Sequence, residues 1–127
     1  MTKNKKLTKP QIEKLAKEIR KWMLDNELWV DTRIYFNGKA FSTDDGHGQY
    51  AYNDPDRLFV LENEDPKRYF DYVGPILSMS FEGDLYDILN YCEAPRLEEE
   101  FRAIFAKYGL YFELGNAWNL TAVYNWC

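Results

Sequence analysis

Leu28-Trp29-Val30-Asp31-Thr32-Arg33-Ile34-Tyr35-Phe36-Asn37-Gly38-Lys39-Ala40-Phe41-Ser42 decides the fold. Leu28, Val30, Thr32, Ile34 and Phe36 fall on one side of an extended chain, and Trp29, Asp31, Arg33 and Tyr35 on the other. Asn37-Gly38 then offers two residues that accept positive φ, which a two-residue hairpin turn requires. Lys39 to Ser42 is expected to return as the partner strand, so the sheet begins antiparallel.

Working towards the N-terminus, Thr8-Lys9-Pro10-Gln11 reads as a capping box, with a Thr N-cap, Pro in the first turn and Gln at N3. Ile12, Leu15, Ala16, Ile19, Trp22 and Met23 follow at helical spacing and define an amphipathic helix ending near Asn26. Its outer face carries Glu13, Lys14, Lys17, Glu18, Arg20 and Lys21.

Towards the C-terminus, Thr43 to Gln49 is a polar, Gly-rich loop, Tyr50 to Tyr52 a short strand or its approach, and Asn53-Asp54-Pro55-Asp56 turn chemistry. Leu58 to Leu61 is a third strand, and Asp65-Pro66 opens a short helical turn that Gly74-Pro75 ends. Ile76 to Phe81 is a fourth strand. Asp84 to Tyr91 is a short helix with Leu85, Ile88, Leu89 and Cys92 on one stripe, and Pro95 opens a longer helix to Tyr108, capped by Gly109. Leu110 to Leu114, a Gly115-Asn116 turn and Trp118 to Tyr124 form a closing hairpin. The expected fold is α+β: a mostly antiparallel sheet of five to six strands, with the N-terminal helix and two further helices packed on it. Residues 1–127 are read as one domain, with 1–7 a frayed basic tail.

The chain's net charge is −5, but its distribution is uneven. Residues 1–21 hold eight Lys/Arg and two Glu, a balance of +6; residues 22–127 hold eight Lys/Arg and 19 Asp/Glu, a balance of −11. A body of that sign disfavours direct nucleic-acid binding and favours basic partner surfaces. Lys3, Lys5, Lys6, Lys9, Lys14, Lys17, Arg20 and Lys21 form a basic cluster, read as a solvated helix face that complements the acidic body. No apolar run is long enough to span a membrane and no apolar segment follows the charged N-terminus, so the expected location is cytoplasmic. Cys92 and Cys127 are read as reduced thiols, Cys92 in the core.

The familiar chemical motifs are missing. One histidine, His47, and two distant cysteines cannot supply a zinc site. Asp44, Asp45, Asn53, Asp54 and Asp56 are oxygen ligands in one stretch but do not match a calcium loop, and no phosphate-cradling glycine motif is present, so no metal or cofactor is assigned. Glu98-Glu99-Glu100 suits the first turn of a helix, with Glu98 able to reach Arg102. What remains is surface: acidic groups interleaved with tyrosines, among ten Tyr in all. Tyrosine gives contact area at low entropic cost, and spaced carboxylates can imitate phosphates.

Arg33-Ile34-Tyr35-Phe36-Asn37-Gly38-Lys39, Tyr52-Asn53-Asp54-Pro55-Asp56-Arg57-Leu58 and Met79-Ser80-Phe81-Glu82-Gly83-Asp84-Leu85-Tyr86 resemble short accessory proteins of bacterial plasmids and phages. That resemblance implies a protein countering host defences, as anti-CRISPR and antirestriction proteins do. The expectation is a non-enzymatic, stoichiometric inhibitor that docks Asp44, Asp45, Tyr50, Tyr52, Asp54 and Asp56 on a basic partner of the nucleic-acid-handling kind. Two alternatives stay open. One is a small enzyme or ligand-binding domain using His47 and carboxylates; the other is an immunity or antitoxin protein with the same acidic surface.

Overall fold

The Asn37-Gly38 turn closes β1 (Thr32–Phe36) onto β2 (Lys39–Ser42), with φ of 50° and 79° at its two residues. In the computed structural model, which describes residues 6–125, that hairpin lies inside a six-stranded sheet. The remaining strands are β3 (Phe59–Glu62), β4 (Leu77–Phe81), β5 (Leu110–Asn116) and β6 (Asn119–Tyr124). Their order is β3-β2-β1-β4-β6-β5, and each neighbouring pair is antiparallel. Helices α1 (Lys9–Asp25), α2 (Asp84–Tyr91) and α3 (Pro95–Ala106) complete an α+β fold.

The capping box at Thr8 and Gln11 starts α1, and its apolar stripe buries Ile12, Leu15, Ala16, Ile19 and Met23. Trp22 stacks on Phe101 of α3 at 5.3 Å between ring centroids and donates its indole N–H to Glu100 at 3.0 Å. Phe101, Phe105 and Phe112 pack as a ring cluster at 5.1–5.2 Å, joining α3 to β5. Ile34, Phe36, Phe41, Met79, Phe81, Phe112 and Leu120 share one core with the helices. Glu98 pairs with Arg102 at 2.9 Å, as its spacing implies.

The opposite face of the sheet carries Tyr35, Ala40, Ser78, Ser80 and Thr121. The chain between β3 and β4, with its 3-10 turn at Pro66–Arg68, packs on this face, seating Phe70 against Tyr35, Ala40 and Trp118.

Several local expectations need correction. β1 begins at Thr32, because Asp31 adopts φ of 48° and breaks the alternation that Leu28 to Tyr35 suggests. Trp29 therefore lies fully buried in the helix-side core beside Leu28, not on the face of Arg33 and Tyr35. Tyr50 to Tyr52 is no strand; one bridge links Asp44 with Tyr50. The closing turn lies at Ala117-Trp118, two residues beyond Gly115-Asn116, with a register shift between Leu114 and Asn116. Cys92 is exposed, because it is the left-handed C-cap of α2 with φ of 54° and so leaves the apolar stripe. Leu7 is part-buried, and its N–H donates to the Tyr124 hydroxyl at 2.9 Å. Lys3, Lys5 and Cys127 lie outside the described residues. Among those described, no helix is long and apolar enough to cross a membrane.

Candidate functional site

Pleating aims alternate residues of β1 and β4 away from the helices, so Arg33, Tyr35 and Ser80 meet on the open face, where Arg33 and Ser80 are register partners. The crossing segment covers part of this face. Beside it lies a cleft of about 580 Å³, whose walls include Tyr35, Tyr50, Tyr69 and Trp118 and whose exposed charges are Asp31, Arg68 and Glu82.

The cleft is organised on Asp44. Arg33 Nη2 donates to Asp44 Oδ2 at 3.0 Å and Arg33 Nε to Oδ1 at 3.3 Å. Ser42 Oγ donates to the same carboxylate at 2.6 Å and the Gly46 N–H at 3.1 Å. Burial alone would raise the Asp44 carboxyl, but the Arg33 and Ser42 hydrogen bonds outweigh it and hold it below the usual carboxylate range. Burial likewise opposes the charge on Arg33, yet Asp44 and the Tyr35 hydroxyl keep its pKa above the ordinary guanidinium value. Tyr35 is raised, chiefly by burial, against the opposing pull of Arg33 and Ser80.

At the rim, the Tyr52 hydroxyl donates to Asp31 Oδ1 at 2.5 Å, and that bond raises the phenol to about 12. The Tyr50 and Tyr52 rings lie 5.7 Å apart. The Glu82 N–H donates to the Asp31 carbonyl at 3.0 Å, which brings the end of β4 beside the start of β1. Tyr69 donates to Glu64 at 3.0 Å, and Tyr72, farther along the same face, donates to Glu113. Exposed tyrosines held by carboxylates thus recur across this side.

Of the residues singled out in the sequence, Asp44, Tyr50 and Tyr52 come together around the cleft, whereas the other three do not. Asp45 shapes the Gly-rich loop: the N–H groups of His47 and Gln49 donate to its Oδ1 at 2.7 and 3.0 Å, and these backbone bonds, Gln49 foremost, lower its carboxyl. Asp54 accepts from the Asp56 N–H at 2.9 Å in a separate turn, which Arg20 of α1 clamps through the Asp54 and Arg57 carbonyls at 3.2 and 3.3 Å. Asn53 is used structurally too, its Oδ1 accepting from the Trp29 N–H at 2.8 Å. Asp44 itself is engaged by Arg33 and is not a free contact residue. Among the described residues, these acidic groups form no cluster able to hold a metal.

His47 is exposed in a shallow depression with Asp45, Glu62 and Glu64. The hydroxyls nearest it in sequence are occupied, Ser42 by Asp44 and Thr43 by the Thr32 carbonyl at 3.5 Å.

Sequence reasoning missed Asp31, Glu82, Tyr69 and Trp118 as cleft residues. Asp31 lies just before β1 in a left-handed conformation that strand alternation does not place, and the pairing of β1 with β4, which brings Glu82 alongside, had no local signal either.

Charge differs between the two sides. Among the described residues, six of the seven ion pairs involve α1 or α3, and the seventh is Arg33–Asp44. The carboxylates of Asp31, Glu64 and Glu82 on the cleft side have no ion-pair partner among these. Compared with known proteins, the chain significantly matches no family model, no curated protein and no solved structure.

Proposed function

We propose that this protein is a stoichiometric binding protein that docks the open face of its sheet onto a basic partner surface, of the kind nucleic-acid-handling enzymes present. The observation that carries the reading is the combination on one face of exposed tyrosines, Tyr50 at 57%, Tyr52 at 44% and Tyr69 at 46%, with the carboxylates of Asp31, Glu64 and Glu82. Tyrosine supplies rigid amphipathic contact area, and unpaired carboxylates steer a basic partner and fix its register. The hydroxyl bonds to Asp31 and Glu64 hold two of these rings in place, which lowers the entropic cost of docking.

The resemblance to plasmid and phage accessory proteins favours a host-defence nuclease as the partner, and inhibition as the outcome. An immunity role would use the same face against a toxin.

The test is titration of the purified protein into DNA-cleavage assays of RNA-guided nucleases and restriction enzymes from bacterial hosts. The reading expects one enzyme whose cleavage falls linearly to zero near one equivalent, and a Tyr50→Ala/Tyr52→Ala/Tyr69→Ala variant that folds but does not inhibit. Inhibition retained in full by that variant contradicts the reading, as does catalytic inactivation at far below one equivalent.

A further inference from the structure

We propose that the cleft between β1, β4 and the Tyr50 loop is a subsite for an arginine side chain of the partner; this rests on, and deepens, the docking role above. The cleft's volume of about 580 Å³ is within the ~300–1,000 Å³ of ordinary ligand sites, ample for one long side chain and the backbone that carries it.

Its charges favour a cation. Arg33 is matched by Asp44 inside the wall, which leaves Asp31 and Glu82 against the single guanidinium of Arg68. The surrounding body, residues 22–127, has a charge balance of −11 and reinforces that sign. Asp31 and Glu82 are held next to one another by the Glu82 N–H on the Asp31 carbonyl at 3.0 Å. Tyr52 occupies Asp31 Oδ1, and among the described residues no donor reaches Oδ2, so that oxygen can accept from a visitor.

The walls select among cations. Tyr50, Tyr69 and Trp118 line the same space. A guanidinium is planar, weakly hydrated, stacks on aromatic rings and donates through a five-hydrogen fork to carboxylates. A lysine ammonium is compact and strongly hydrated, and gains less from such walls. The same features disfavour a phosphate, which would meet Asp31 and Glu82 on entry.

The test is ¹H–¹⁵N NMR of the full chain titrated with Nα-acetyl-arginine methylamide, and in parallel with the neutral, nearly isosteric citrulline amide. Protamine, a basic polypeptide, is the control for face-wide docking. The proposal expects saturable shifts at the Trp118 indole N–H and the Tyr50 and Tyr69 amides with arginine only. It expects a folded Asp31→Asn/Glu82→Gln variant to bind the arginine amide at least about tenfold more weakly, the scale of one lost charged hydrogen bond. Equal shifts with citrulline amide, or arginine shifts lying outside the cleft, overturn it. If protamine still binds the open face while arginine amide leaves the cleft unmoved, the subsite falls and the docking role stands; if protamine binds elsewhere or not at all, both fall.

Discussion

Asp44 illustrates how little a carboxylate's identity says about its task. In sequence it belongs to an acidic, glycine-rich loop and looks available to a partner. In the fold it accepts from Arg33, Ser42 and Gly46, and both it and Arg33 are about four-fifths covered. Asp44→Asn should cost about 1–3 kcal/mol in chemical denaturation, since it leaves a part-buried guanidinium without its counter-charge. The pH dependence has a definite sign. Asp44 is held below its ordinary value, so its contribution is present above the ordinary carboxylate range and is lost as pH falls through and below that range. The wild type should lose stability on acidification more steeply than Asp44→Asn. Trp29 gives a second check: it is fully buried with no partner for its indole N–H among the described residues. Trp29→Ala should cost about 3–5 kcal/mol, as large buried aromatics do, whereas Trp29→Phe should cost less than half of that, because it removes an unpaired donor along with some volume.

At the scale of elements, the sequence was most informative where the chemistry is local. The Thr8–Gln11 box and the Asn37-Gly38 turn each need only neighbouring residues, and both occur where the pattern places them. Thr8→Ala should therefore lower stability by about 0.5–2 kcal/mol in thermal or denaturant unfolding. Alternation misled at the start of β1, since a single left-handed residue, Asp31, sends Trp29 to the helix side. Cys92 was misplaced for a related reason: a helical stripe ends where the helix does. The cleft was the least legible feature. It depends on Arg33 facing Ser80 and on the Tyr69–Phe70 segment crossing the sheet, and neither leaves a mark in nearby sequence. Tyr50 and Tyr52 could be chosen as surface aromatics, but their neighbours Asp31, Glu82 and Trp118 could not.

For the whole molecule, the contrast between a basic N-terminal segment and an acidic body becomes a contrast between two sides. On the helix side, cations and carboxylates are largely spent on one another, as in Lys17–Glu13, Lys39–Glu13 and Lys107–Glu18. On the sheet side, Asp31, Glu64 and Glu82 stand beside exposed tyrosines. Exposed ion pairs contribute little to stability, whereas steering between charged surfaces falls steeply with ionic strength. Raising NaCl from low to molar concentration should thus shift the thermal midpoint only slightly while sharply weakening attachment to a basic partner. The most direct measurement is an amide chemical-shift map of the chain with protamine at low salt. The account predicts shifts concentrated at Tyr50, Tyr52, Tyr69, Glu82 and Trp118 that vanish at high salt. Shifts centred on the outer faces of α1 and α3, or spread evenly over the surface, would contradict it.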